Sequence, residues 1–222
     1  MNRIAIFDDV LKSGAWGAEL VHNQPSTNYY KDYYYGSDLE KEIKIIDSTD
    51  FGAIEYQAGL LPEFYMDVQI QTKKKRAKIY DVNEVNGFLV LSQKALSVLT
   101  SVDSMSHQVL PLSIKNWEMK EPDEKYFIVN IIRYIEVEKD FSPFDFPGAK
   151  SEDLKAYIHG LINSDQVRNY LSNKCIWRKR HAHTIFFLTE NLVQLLLAAG
   201  CTGLDEKTLK KDSRHGAPIR YV

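Results

Sequence analysis

Two segments of the chain follow the same order: an apolar strand, a hydroxyl residue and an amphipathic helix. FLVLSQKALSVLTSV spans residues 88–102, and TIFFLTENLVQLLLAAG spans residues 184–200. Ser92 and Thr189 end the two strand-like runs, where a hydroxyl accepts a hydrogen bond from the unpaired N–H groups that open a helix. Each segment therefore predicts a strand that leads directly into a capped helix.

The apolar residues of both helices recur at helical spacing. The predicted buried stripes are Ala95, Leu96 and Leu99 in the first helix and Leu192, Leu195, Leu196 and Ala199 in the second. Gly200 follows the second helix at the position that favours a left-handed backbone. Gly203 permits a second tight turn, and we expect Leu204 or the Cys201 side chain to fold back onto the last helical turn.

The rest of the chain predicts mainly strands. Apolar or alternating runs occupy residues 3–7, 41–46, 64–70, 108–114, 125–138 and 175–181. Residues 12–38 show no clear period and predict a loop, whereas residues 151–163 predict a helix capped by Ser151. The predicted fold class is α+β, a mainly antiparallel sheet with about three helices and a β-rich N-terminal part.

Charge divides the chain into two unequal regions. Residues 1–72 contain five Lys/Arg and twelve Asp/Glu, whereas residues 73–222 contain 23 Lys/Arg and 18 Asp/Glu. Such an asymmetry indicates two functional halves. We therefore predict an acidic, Tyr-rich β/loop subdomain over 1–75, an α+β subdomain over 80–212 and a loosely held tail over 213–222.

Several classes of function are disfavoured by composition. The net charge of −2 lacks the basic excess of a general nucleic-acid binder. The acidic start MNRIAIFDDV does not resemble a secretion signal, and no apolar run reaches the ~20 residues that span a bilayer. Two cysteines in a chain of this length predict reduced thiols in the cytoplasm rather than a disulfide framework.

The best metal candidate is the HAH sequence at residues 181–183. In a strand, His181 and His183 would point to the same side, but zinc needs a third and usually a fourth ligand, and only Cys175 lies nearby in sequence. An exposed polar pair is the favoured interpretation. Cys175 and Cys201 favour buried, inert thiols over nucleophiles. No phosphate-binding motif occurs, so we expect no cofactor.

Two further segments are candidate binding surfaces. Residues 73–76, KKKR, are too few for a nucleic-acid site and favour a solvated turn. Residues 28–36 contain five tyrosines, which are enriched at protein interfaces because they give a large contact area with few rotors. The alternative is that half of these rings pack beneath their own loop.

An ordered set of motifs resembles one family. A strand leads into the Ser-capped helix, and a strand with an aromatic start and an Asn follows at 126–130. An acidic residue and a serine come later, at Asp140 and Ser142, and Trp177–Arg178 stands where the family often has Phe-Arg. The set ends in the G-x-T-G-l pattern of residues 200–204. This order, over about residues 85–205, resembles a large family of bacterial polymorphic-toxin immunity proteins; residues 1–72 show no match to it.

The resemblance implies a non-enzymatic, cytoplasmic bacterial protein that acts in interbacterial competition. Such proteins bind and neutralise a cognate toxin or effector by protein–protein contact, without cofactor, nucleic acid or membrane; a homodimer stays open. The predicted toxin-binding residues, placed in the acidic N-terminal part, are Tyr29, Tyr30, Asp32, Tyr33, Tyr34, Tyr35 and Asp38. The predicted structural-motif residues are Ser92, Thr189, Gly200, Thr202 and Gly203.

Three alternatives remain open at this point. The first is an adaptor or chaperone for a secreted effector, which would bind a partner without rescuing cells from it. The second is a metal-dependent hydrolase that uses His181 and His183. The third is a structural member of a larger assembly, which would form a stable homo-oligomer without a toxin.

Overall fold

A computed structural model describes fifteen parts of the chain. They are residues 4–7, 18–21, 41–46, 53–57, 69–72, 79–85, 88–103, 107–116, 118–137, 157, 161, 165–172, 174–179, 185–204 and 219–221. For the strands before residue 79, the backbone pairing alone is described.

Thirteen strands and three helices are described. The strands are β1 Ile4–Phe7, β2 Ala18–Val21, β3 Lys41–Ile46, β4 Ala53–Gln57, β5 Gln69–Thr72, β6 Val82–Val85, β7 Phe88–Ser92, β8 Gln108–Lys115, β9 Tyr126–Asn130, β10 Arg133–Val137, β11 Ile176–Arg178, β12 Phe186–Thr189 and β13 Ile219–Tyr221. The helices are α1 Gln93–Val102, α2 Asp165–Leu171 and α3 Glu190–Ala198.

The strands form two sheets. One has seven strands in the order β13-β1-β12-β11-β10-β4-β3, and the other has six in the order β2-β5-β8-β9-β7-β6. Within the described pairs, only β10–β11 and β5–β8 are parallel. The predicted α+β class with mainly antiparallel pairing is therefore confirmed.

Two predicted segments differ from the structure, and a third is described only in part. The apolar run 125–138 forms two strands instead of one, because β9 lies in the six-stranded sheet and β10 in the seven-stranded sheet. Ile131 and Ile132, both buried, connect the two sheets. Strand β2 lies inside the region predicted as loop, where its pairing with β5 supplies the hydrogen bonds that a short segment cannot make alone. The strand predicted over 64–70 is described only from Gln69 onward, as β5.

Both capped helices are present. Ser92 accepts a hydrogen bond from Ala95 N, and Thr189 accepts one from Leu192 N. The predicted stripe of α1 is buried as expected. Of the predicted helix over 151–163, the structure describes Tyr157 and Leu161, both helical and buried.

The stripe predicted for α3 is partly wrong. Its buried residues are Leu192, Val193 and Leu196, whereas Leu195 and Ala199 are exposed. The buried three lie on one arc of the helix, so the face toward the core is rotated from the predicted stripe toward Val193. Ala199 is the C-cap and lies beyond the last turn that packs on the sheets.

The core lies where α1 and α3 meet both sheets. Leu89, Leu91 and Val129 of the six-stranded sheet share one apolar cluster with Ile176 and Phe186 of the seven-stranded sheet and the buried faces of the two helices. A void of about 10 Å³ remains among these side chains. It is entirely apolar and at the lower limit for one water, so we expect it to stay dry.

Strand pairing crosses the predicted boundary near residue 75. Strand β1 pairs with β12, β4 with β10 and β5 with β8, so each sheet contains strands from both sides of it. Three residues of the predicted tail form β13, which pairs with β1. The division into subdomains itself stays a prediction.

Candidate functional site

The predicted toxin-binding residues lie outside the described residues. They are Tyr29, Tyr30, Asp32, Tyr33, Tyr34, Tyr35 and Asp38. The same holds for His181, His183, Asp140, Ser142 and residues 73–76. The structural-motif residues Ser92, Thr189, Gly200, Thr202 and Gly203 are all described, and four of them meet at one place.

Gly200 ends α3 in a Schellman motif. Its φ is +70°, its N–H donates to Leu197 O at 2.9 Å, and Cys201 N donates to Leu196 O at 2.9 Å. These two bonds satisfy carbonyl groups that the helix end leaves unpaired. Cys201 and Leu204 both fold back into the core cluster that contains Leu196. The predicted left-handed conformation of Gly200 and the predicted return of Cys201 and Leu204 onto the helix are therefore confirmed.

Thr202 ties this turn to the residues before β6. Its N–H and its hydroxyl both donate to Asp81 Oδ2, each at 2.7 Å. Asp81 N donates back to Thr202 Oγ1 at 3.1 Å, and Val82 N donates to Thr202 O at 3.1 Å. These hydrogen bonds hold the turn after α3 against the start of β6, although the two are more than a hundred residues apart in sequence.

Asp81 also holds the first turn of α1 in place. Ser92 Oγ donates to Asp81 Oδ1 at 2.7 Å, and Ser92 Oγ also accepts the capping hydrogen bond from Ala95 N. Lys94 lies 3.1 Å from Asp81 Oδ2 and also donates to Gly200 O at 2.9 Å. We call Asp81, Ser92, Lys94, Thr202 and Gly203 the Asp81 junction.

The electrostatics of the junction favour an ionised Asp81. Burial alone would raise the pKa of this carboxyl group, but the hydrogen bonds from Ser92, Thr202 and Lys94 together hold its pKa below the ordinary value of 3.8. The carboxylate is thus charged at neutral pH and serves as a fixed acceptor. Sequence reasoning missed Asp81, because nothing in its local sequence distinguishes it from other surface aspartates.

Gly203 is the residue of the junction that admits no side chain. Its φ is +95°, and a Cβ there would lie 2.3 Å from Val82 O and 2.7 Å from Tyr80 Cβ. At Gly200, by contrast, a Cβ would have open space around it. Gly200 is therefore required by its backbone conformation alone, whereas Gly203 is required by conformation and packing together.

A second buried carboxylate holds the end of α1. Asp103, the C-cap, accepts two parallel bonds from Arg133, each 2.9 Å long, and one from Cys175 N at 2.9 Å. Arg133 also donates to Ile176 O at 2.8 Å. Both side chains are almost fully buried. This bidentate pair joins α1, β10 and β11, and its geometry is that of a structural ion pair.

Both cysteine thiols are buried, and burial opposes their ionisation. Burial raises the pKa of the Cys175 thiol, with the charge of Asp103 adding to the effect. Burial, together with the charge of Asp81, raises the pKa of Cys201 to about 11. Because the thiolate is the reactive form, neither residue is activated as a nucleophile.

Trp177 and Arg178 are both fully buried on opposite faces of β11. The Trp177 indole stacks on Phe187 with 6.1 Å between ring centroids and donates to Tyr157 Oη at 3.2 Å. The Arg178 guanidinium lies 4.5 Å from the centroid of the Phe186 ring. The pair that stands in the place of the family's Phe-Arg thus packs in the interior.

The connection between β8 and β9 presents many exposed polar side chains. Glu118, Glu121, Asp123 and Glu124 are all exposed there, together with Lys120 and Lys125. This connection folds back on the two strands and encloses a groove of about 340 Å³. Sequence reasoning did not single out this groove.

Among the residues that the structure describes, no group of three or more His, Cys, Asp or Glu side chains could hold a metal ion. No helix among them has the length and apolar character needed to cross a bilayer.

A model of the Immunity protein family (Imm11) matches residues 29–211. The chain therefore belongs to this immunity protein family. The match begins well before residue 85 and includes the segment from Tyr29 to Asp38, which sequence reasoning had placed outside the resemblance. A comparison with curated proteins finds no match.

Proposed function

We propose that this protein is a bacterial immunity protein that binds and neutralises a cognate toxin in the cytoplasm, without catalysis. The observation that supports the proposal is the family match over residues 29–211. Membership of an immunity family points to a binding role, since such proteins act by contact with the toxin they inactivate.

The chemistry of the described residues supports the same proposal. Asp81 and Asp103 are engaged by hydroxyl, ammonium, guanidinium and backbone donors inside the fold. The two thiols are buried with raised pKa values. A nucleophile or general base needs an accessible, activated group beside its partner, and these groups are used to hold the fold together.

We further propose that the tyrosine segment contributes to the toxin contact. The segment contains Tyr29, Tyr30, Asp32, Tyr33, Tyr34, Tyr35 and Asp38, and its support is compositional. Clustered tyrosines can anchor an interface, and acidic residues can orient a basic partner. Because this segment lies inside the family match, it is part of the region that defines the family.

The first experiment is a rescue test. The protein encoded beside this gene is induced alone and together with this protein in the same cells, and survivors are counted. We expect the neighbour to kill and the pair to grow. A neighbour that kills whether or not this protein is present would contradict the proposal. If that neighbour nevertheless binds this protein, the result would favour an adaptor or chaperone.

The tyrosines can be tested in the same assay. Replacement of Tyr33, Tyr34 and Tyr35 by alanine should abolish rescue while the purified variant keeps the circular dichroism of the wild type. Replacement of the same three residues by phenylalanine is the matched control, because it keeps the rings and removes only the hydroxyl groups. An unchanged toxin affinity in the alanine variant would remove this segment from the interface.

A further inference from the structure

The groove between β8, β9 and their connection, which we call the hairpin groove, has an apolar floor. Pro111 and Phe127 line it and are paired across the two strands, so they lie on one face of the sheet. Val109, on the same face, is 36% exposed. The positions that continue this face on β7, Leu89 and Leu91, are covered by the core cluster. The face is therefore covered at β7 and open at β8.

The connection that forms one wall is held in a defined conformation by Asn116. Its side-chain Oδ1 accepts from Glu118 N and Lys120 N, both at 2.9 Å. Its backbone pairs with Met119 and Lys120. Met119 has a φ of +62°, and its side chain is 55% exposed. The turn thus leaves a large apolar side chain exposed two residues before Glu121, which lines the groove.

The charged side chains that line the groove carry more negative than positive charge. Glu121 and Glu124 line the groove together with Lys125, and Ser113 donates to Glu121 Oε1 at 2.8 Å, which orients that carboxylate. Glu124 is near enough to Tyr126 that its charge, after burial and Asp81, raises the pKa of the phenol to about 12. Across the whole connection four carboxylates outnumber the two ammonium groups of Lys120 and Lys125.

We propose that this hairpin groove is a toxin-contact surface that takes an extended segment of the toxin in which Lys or Arg alternates with apolar side chains. The inference rests on the proposed function and names the surface and the chemistry of the partner. An apolar floor with an acidic rim favours such a segment, because apolar side chains lie on Pro111 and Phe127 while cations meet Glu121 and Glu124. Met119, which is exposed in the same connection two residues before Glu121, supplies an anchor.

The test measures affinity and association rate for the purified neighbouring toxin. The double variant Glu121→Lys, Glu124→Lys reverses the rim and should weaken binding by about tenfold or more, mainly through slower association that depends on salt. Asp165→Lys is the control for reversal of an exposed carboxylate, because Asp165 opens α2 and does not line the groove. Its affinity should stay within about twofold of the wild type.

A second variant tests the apolar anchor. Met119→Asn removes the side chain and is compatible with the left-handed backbone, which Asn tolerates. We expect about a tenfold loss of affinity through faster dissociation. Leu195→Asn is the matched control, since Leu195 is also a large, exposed apolar residue but lies on α3.

The possible outcomes distinguish failure of the groove proposal from failure of the proposed function. Rescue by the wild type, with unchanged toxin affinity in both groove variants, would contradict the groove proposal and leave the proposed function standing. A wild-type protein that neither binds nor rescues would overturn both. A wild-type dimer that becomes monomeric on rim reversal, with toxin affinity unchanged, would assign the groove to a second copy of this chain and overturn the inference.

Discussion

Gly203 and Met119 are two residues with a left-handed backbone in very different surroundings. At Gly203, Val82 and Tyr80 approach so closely that no side chain fits. At Met119, the turn built by Asn116 supports the same region of backbone conformation and leaves a full side chain more than half exposed. A left-handed backbone therefore accompanies close packing at Gly203 and an exposed side chain at Met119.

The carboxylates of the two regions differ in the same way. Asp81 is surrounded by the hydroxyls of Ser92 and Thr202 and by Lys94, all from this chain. Glu124 is exposed on the rim of the groove. The predicted motif residues Ser92, Thr202 and Gly203 thus hold the fold together, whereas Glu124 lies on the surface that we propose for toxin contact. A test of this comparison should find stability changes at the junction and binding changes at the groove.

Gly203→Ala should have the largest effect on stability. A left-handed alanine costs about 1–2 kcal/mol, and the overlap with Val82 O adds roughly 1–3 kcal/mol. We expect the free energy of unfolding in urea to fall by about 2–5 kcal/mol. Gly200→Ala is the control, because it has a similar φ with open space and should cost only about 1–2 kcal/mol. Equal losses at the two glycines would contradict the packing argument.

Asp81→Asn should have the next largest effect, and one that depends on pH. Hydrogen bonds to a charged group contribute about 1.5–3 kcal/mol, so we expect a loss of about 2–3 kcal/mol at pH 7. The pKa of Asp81 is lower in the folded protein than its ordinary value of 3.8. Its contribution is therefore fully present above pH 3.8 and is lost as the pH falls through the folded value.

Urea unfolding of the wild type and Asp81→Asn between pH 7 and pH 2.5 measures this difference. The gap between the two proteins should be constant down to about pH 4 and should narrow below it. Thr189→Ala serves as the control, since a hydroxyl cap does not titrate and its cost should not depend on pH. A gap that stays constant throughout the acid range would show that the charge of Asp81 does not stabilise the junction.

The two helix caps allow a smaller and more specific comparison. Thr189 caps α3, whereas Ser92 caps α1 and also donates to Asp81. Loss of a cap costs about 1 kcal/mol, and a buried acceptor left without its donor adds about 1 kcal/mol. Ser92→Ala should therefore lower the free energy of unfolding by about 1 kcal/mol more than Thr189→Ala. In the Asp81→Asn background, the difference between the losses of Ser92→Ala and Thr189→Ala should be smaller. A difference of equal size there would contradict a stabilising hydrogen bond between Ser92 and Asp81.

The repeated strand–cap–helix pattern predicted the elements that build the core, because hydroxyl caps and helical spacing act over a few residues. The Schellman turn at Gly200 was equally readable from its glycine. Asp81 and Asp103 were not, because their partners lie far away in sequence and only the fold brings them together. For the same reason the run through Ile131 and Ile132 could not reveal that it changes sheets.

The candidate binding surface was harder to predict than the fold. Tyrosine clustering pointed to the N-terminal segment through composition alone. The hairpin groove has no such marker, because Pro111, Glu121, Glu124 and Phe127 come from two strands and a turn and are unremarkable one by one. The role that we propose for them depends on strand pairing, which brings them together at an open face.

Met119→Gly should have the smallest effect on stability and the opposite sign. A left-handed methionine carries a conformational cost of about 1 kcal/mol that glycine relieves, and little is lost with an exposed side chain. We expect the free energy of unfolding to stay unchanged or rise by up to about 1 kcal/mol, while toxin affinity falls as in Met119→Asn. A gain in stability with a loss of binding would mean that the methionine is retained for contact. Loss of stability would instead assign Met119 to packing within its own turn, and the contrast with Gly203 would disappear.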